Sequence, residues 1–135
     1  MQKYSGVLLI TSDNSLLLQQ RDSKHGIVNP GRITTFGGLN EGNETAIEGA
    51  FREITEETNI KFTVDDLIPF TKLTKTEDDG TFTELNIFLL YNVNKSTLKV
   101  FEGKYAVEIT SEAHSQKLNL SDSARKIIEK YFKNK

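Results

Sequence analysis

The sequence of 135 residues contains no cysteine. That removes disulfides, thiol catalysis and cysteine-ligated zinc together, and it fits a reducing compartment. Proline is nearly absent as well, with two in the chain. Nothing reads as a Pro-rich linker, repeat or low-complexity tract, so a single domain over residues 1–135 is expected. Charge of one sign is not in excess: 17 basic and 19 acidic residues give a formal charge of −2. No global field marks a binder of polymeric nucleic acid. Long hydrophobic runs are missing too. The N-terminal stretch "MQKYSGVLLITSDNS" turns polar after five apolar residues, too few for a signal-peptide core, and nothing approaches a membrane span. A soluble, cytoplasmic protein without membrane contact is the expectation; oligomeric state is not legible.

What is present is periodic. "SGVLLIT" (5–11) and "SLLLQQR" (15–21) flank "SDN" and predict a strand pair. "DSKHGIVNPGR" (22–32) reads as a loop, and "ITTF" (33–36) as a short strand that stops at Gly37-Gly38. Ile47, Ala50, Phe51, Ile54 and Thr58 then recur at helical spacing, behind a capping box of Thr45 with Glu48. Asn59 is expected to end that helix in a left-handed conformation, as the best substitute for glycine. "LIPFTKLTKTE" (67–77) and "TFTELNIFLLYNV" (81–93) bracket the turn signal Asp79-Gly80, a hairpin. "KYAVEIT" (104–110) predicts a last strand. "SDSARKIIEKYF" (121–132), with Ala124, Ile127, Ile128 and Tyr131 on one face behind Ser121, predicts a terminal helix, and the lysines of "RKIIEKYFKNK" give its wet side. Interleaved strands and helices predict an α/β sandwich with a mixed sheet.

Acid is concentrated in the first helix. Glu53, Glu56 and Glu57 lie at i,i+3 and i,i+4, where like charges destabilise a helix by a few tenths of a kcal/mol per pair. At 100° per residue they are expected on a different face from the apolar stripe, projecting together into a cleft. Three converging carboxylates suit a hard divalent cation such as Mg²⁺, which takes oxygen ligands and substrate phosphates. A solvated acidic face is the competing reading.

The surrounding spacing is more specific. Gly38, five residues, Glu44, seven residues, then Arg52-Glu53-Ile54-Thr55-Glu56-Glu57-Thr58-Asn59-Ile60 resembles the Nudix box, matching eight of its nine specified positions. The departure is Asn59, where the family has glycine; Phe36 also stands where many members place proline. "LLLQQRD", "FGG", Glu102-Gly103 and the terminal helix are similar to the family's segments, so the likeness covers nearly the whole chain.

The resemblance implies a Nudix-type α/β/α sandwich and hydrolysis of a diphosphate joining a nucleoside to another group, with Mg²⁺ or Mn²⁺. It implies Glu53, Glu56 and Glu57 as metal ligands with the Gly37 carbonyl, and Gly38, Glu44 and Arg52 as support for the site. Glu53 and Glu102 are the alternatives for the proton acceptor. Arg21 is a candidate for a substrate phosphate, Phe82 and Tyr105 for stacking a base, while His25 reads as solvated. The partner is a small nucleotide, such as an oxidised purine triphosphate, with nucleotide sugars and ADP-ribose as alternatives. Two other classes stay open: a Nudix-like sensing domain without turnover, and an interaction module with a structural acidic helix.

Overall fold

In a computed structural model, described over residues 1–20, 31–101 and 105–134, one mixed sheet carries helices on both faces. Its strands are β1 (Gln2–Thr11), β2 (Leu16–Gln20), β3 (Ile33–Thr34), β4 (Phe36–Leu39), β5 (Ile68–Thr76), β6 (Phe82–Val93) and β7 (Tyr105–Ile109). The sheet runs β3-β2-β1-β6-β5, with β4 also paired to β1 and β7 to β2. Among the described strands, β1 and β6 pair parallel and the other named pairs are antiparallel.

Burial on both faces explains the apolar run in β1, since residues 5–11 are all buried. Alternate side chains divide between two clusters. Val7 and Leu9 join Phe36, Ala50 and Ile54 under helix α1 (Ala46–Glu57). Leu8 and Ile10 join Ala124, Ile127, Ile128 and Tyr131 under helix α3 (Asp122–Lys133). Each such fully buried aliphatic side chain contributes about 1.5–3 kcal/mol by area. A four-residue helix α2 (Glu112–Ser115) and a 3-10 turn (Val64–Asp66) were not expected; both are too short to leave a periodic signal.

The N-terminus of α1 forms as the capping box predicts. The Glu48 amide donates to Thr45 Oγ1 at 3.2 Å, and the Thr45 amide donates to Glu48 Oε1 at 2.8 Å. Its other end differs from expectation. Thr58 is extended (φ −140°), and Asn59 is not among the residues with positive φ, so no left-handed residue ends the helix. Instead the chain leaves α1 as a short bridge, with Thr58 paired antiparallel to Val100. A neighbouring segment supplies hydrogen bonds that a left-handed cap would otherwise provide.

Candidate active site

Helix α1 packs across β1 and β4, which sets its acidic side against Gly37 and Gly38. These glycines do not stop a strand; β4 runs through both, paired with Gly6 and Ser5 of β1. Close approach is what requires them. A Cβ on Gly37 (φ +145°) would lie 2.1 Å from the Ser5 carbonyl oxygen, and one on Gly38 would lie 2.4 Å from Glu53 Oε1. Absence of a side chain at Gly38 therefore makes the hollow that admits the Glu53 carboxylate.

The acids are not all on the wet face. Glu57 is 8% exposed, and its Oε1 accepts the Gly37 amide at 2.9 Å. The expectation of separate faces fails at this residue. Four residues after Glu53 and seven after Ala50, it lies at the border between acids and stripe, and β4 covers it. A buried carboxylate on a backbone amide is a charge-assisted bond, which fixes the side chain as well as satisfying it.

Arg52 organises the rest. Its Nε donates to Glu44 Oε2 at 2.7 Å, and a second nitrogen donates to Glu44 Oε1 and the Leu39 carbonyl, both at 3.1 Å. The third nitrogen donates to Glu53 at 3.2 Å and Glu56 at 2.9 Å, with Glu41 at 3.5 Å. Hydrogen bonding to Glu44 raises the Arg52 pKa further, and the Arg52 bond, then the Glu41 amide, holds Glu44 below the usual carboxylate range. One guanidinium thus faces four carboxylates, with Glu57 beside them. The donor chemistry fits a hard divalent cation, since every candidate ligand is an oxygen. Among the described residues, no three acids close around one point: Glu53 and Glu56 turn to Arg52, while Glu57 holds Gly37. Glu41 and the Leu39 carbonyl escaped sequence reading, although Glu41 stands three residues before Glu44 in a turn that its amide closes on Glu44 at 2.8 Å.

Other candidates lie apart. Phe82 and Tyr105 are 52% and 60% exposed at the starts of β6 and β7, so neither is core packing. Arg21, His25 and Glu102 fall outside the described residues. A cleft of about 510 Å³ opens beyond the C-terminal end of α1, lined by Asn59, Phe62, Ile68 and Tyr91 among others, and none of the glutamates of the acidic cluster lines it.

An acidic helix tied by one arginine and seated on a Gly-Gly strand offers an all-oxygen donor set of the kind that suits a hard divalent cation. The sequence matches the NUDIX domain over residues 2–130, and the chain belongs to the Nudix family of hydrolases. No curated protein matches it. The fold is similar to that of the E. coli dihydroneopterin triphosphate pyrophosphohydrolase, with a TM-score of 0.76 at 20% identity, covering 98% of this chain and 96% of that one. The E. coli ORF135 protein gives a TM-score of 0.76 at 20% identity over 98% and 89%. A bifunctional NMN adenylyltransferase/ADP ribose pyrophosphatase from Francisella tularensis, in complex with AMP and a Mn ion, gives 0.69 at 19% over 98% and 41%. At such identities the likenesses establish the fold. No helix among the described residues is long and apolar enough to cross a membrane.

Proposed function

We propose that this protein hydrolyses a diphosphate bond in a nucleoside diphosphate derivative, with Mg²⁺ or Mn²⁺ as cofactor. The observation that carries the reading is the excess of carboxylate over cation around Arg52 among the described residues, beside the buried Glu57. Such an excess raises the energy of the helix unless a cation joins it. Glu53, Glu56 and Glu57, with the Gly37 carbonyl, would hold that cation. When bound it neutralises the diphosphate, lowers the pKa of a water and stabilises the leaving phosphate.

The chain's own residues do the rest. Gly38 leaves room for Glu53, and Arg52 with Glu44 fixes the directions of Glu53 and Glu56. Glu53 or Glu102 accepts the proton of the attacking water. Arg21 meets a phosphate and Phe82 a base. In-line displacement at one phosphorus gives two monophosphates, or a monophosphate and pyrophosphate from a triphosphate. Solved relatives with this fold act, by name, on dihydroneopterin triphosphate and on ADP-ribose, so both a triphosphate and a nucleoside diphosphate sugar belong among the candidates.

The test is a panel of nucleoside triphosphates, nucleotide sugars, ADP-ribose and dinucleotides, incubated with Mg²⁺, with released phosphate and pyrophosphate measured. Metal-dependent release from at least one is expected. Mg²⁺ binding with no turnover on any would instead favour the sensing domain.

A further inference from the structure

We infer that Asn59 is a positioning residue for Glu57, and that it works because it is not glycine. Its carboxamide reaches across to a separate segment: Nδ2 donates to the Thr97 carbonyl at 2.9 Å, and Oδ1 accepts the Lys99 amide at 2.8 Å. Its backbone amide donates to the Lys99 carbonyl at 3.2 Å, and the Phe101 amide donates to the Glu57 carbonyl at 2.9 Å. Together with the Thr58–Val100 bridge, these bonds lay residues 97–101 along the end of α1 as a clamp. Two of them need a side chain that both donates and accepts, as asparagine does and glycine cannot.

The clamp acts on the residue that the chemistry needs. Glu57 is gripped at both ends, its carbonyl by Phe101 and its carboxylate by Gly37. It is also the last residue of α1, where a helix ordinarily frays. Thr58 adds to the lock, since its hydroxyl donates to the Ile54 carbonyl at 2.9 Å. Replacing Asn59 by the family's glycine would gain no left-handed turn, because the backbone there is not left-handed. It would remove both side-chain bonds and loosen the turn that aims Glu57. Restoring the motif should therefore damage the site.

The proposal rests on the metal-site reading above, so its test carries one readout that needs no metal. Amide hydrogen exchange by NMR reports the clamp at Lys99 and Phe101, and reports the Glu57 carboxylate at Gly37. In Asn59→Gly and Asn59→Ala, exchange should quicken about tenfold at all three amides, as expected for loss of about one net hydrogen bond. Direct titration with Mn²⁺ should show affinity weakened by a similar factor. Asn59→Asp keeps the acceptor for Lys99 but sets a second oxygen against the Thr97 carbonyl, and should fall between. Faster exchange at Lys99 and Phe101, with Gly37 protection unchanged, would overturn the positioning role and leave Asn59 a purely structural tie. A wild-type chain that binds no Mn²⁺ would remove the metal reading instead, and the Gly37 amide would still decide this one.

Discussion

Two ionic clusters on this molecule use similar parts for different ends. At one, Arg52 meets Glu41, Glu44, Glu53 and Glu56. At the other, Lys95 meets Glu108 at 2.8 Å and Asp13 at 3.5 Å, while Ser15 Oγ donates to Glu108 at 2.6 Å. The Lys95 cluster joins the β1–β2 turn, β7 and the segment after β6, with one cation for two acids. Its surplus is a single acid, and it is suited to tying elements together. The Arg52 cluster gathers a larger surplus of acid on and beside a single helix. Folding alone gains nothing from that surplus, so a ligand of opposite charge is the simplest explanation. Charge balance, more than the number of ion pairs, separates the Lys95 cluster from the one proposed to hold a metal.

The strongest way to break the comparison is to remove single acids from the crowded cluster. Glu56→Gln or Glu57→Gln should lower turnover by several orders of magnitude at saturating Mg²⁺. Both should keep the fold by circular dichroism. A glutamine carbonyl in place of the Glu57 carboxylate could still accept the Gly37 amide, and Glu56 is exposed. Near wild-type rates in either would mean that the surplus acid is only a solvated face. Next comes the proton acceptor. Glu102→Gln should reduce kcat by about 10²–10⁴ and flatten the acid limb of the pH–rate profile, with Mn²⁺ affinity unaltered. Unchanged kcat and profile would leave Glu53 as the base.

A smaller effect sharpens the contrast through stability. Mg²⁺ at about a hundred times its Kd should stabilise the wild type by about 2.7 kcal/mol, visible as a raised Tm. Glu56→Gln should lose most of that rise, and Lys95→Met should retain all of it. An equal loss in both variants would show that the metal effect is not seated at α1.

Reading the sequence recovered the layers, the helix stripe and the capping box, because each rests on contacts within a few residues or on simple alternation. Ala50 and Ile54 are buried where the period put them, and Thr45 with Glu48 closes the box. What failed depended on a distant partner. Gly37-Gly38 looked like a strand stop, but Gly37 lies too close to Ser5 of β1 for a side chain, and Gly38 leaves the space that the Glu53 carboxylate fills. Asn59 looked like a left-handed cap, but a segment some forty residues on supplies the bonds instead. Glu57 looked wet, yet β4 covers it. The box spacing singled out Glu53, Glu56 and Glu57 as the candidate ligands. The resemblance also implied that Arg52, with Glu44, orients them, and Arg52 does bond Glu53 and Glu56; what could not be read was the backbone amide that holds Glu57.

The least effect is expected at the Lys95 cluster, and pH separates it from its counterpart. The Lys95 bond, then the Ser15 hydroxyl, holds the Glu108 carboxyl below its ordinary 4.5. A depressed carboxyl contributes stability that is present above the unfolded pKa and lost as pH falls through the folded one. Hydrogen bonding to Glu108 raises the Lys95 pKa above its ordinary 10.5. That contribution is present below the unfolded pKa and lost as pH rises through the folded one. The tie should therefore weaken on both flanks, below 4.5 and above 10.5. Around Arg52 only the acid flank exists, because Glu44 can be protonated whereas the guanidinium does not lose its proton in any accessible range. Lys95 is exposed and Glu108 half-buried, so solvent screening keeps the change small, a Tm shift of a few degrees at most. Comparing Tm against pH for wild type and Lys95→Met should show the variant's deficit vanish at both extremes. A deficit that persists unchanged above about pH 11 would mean that Lys95 acts through packing of its stem rather than its charge.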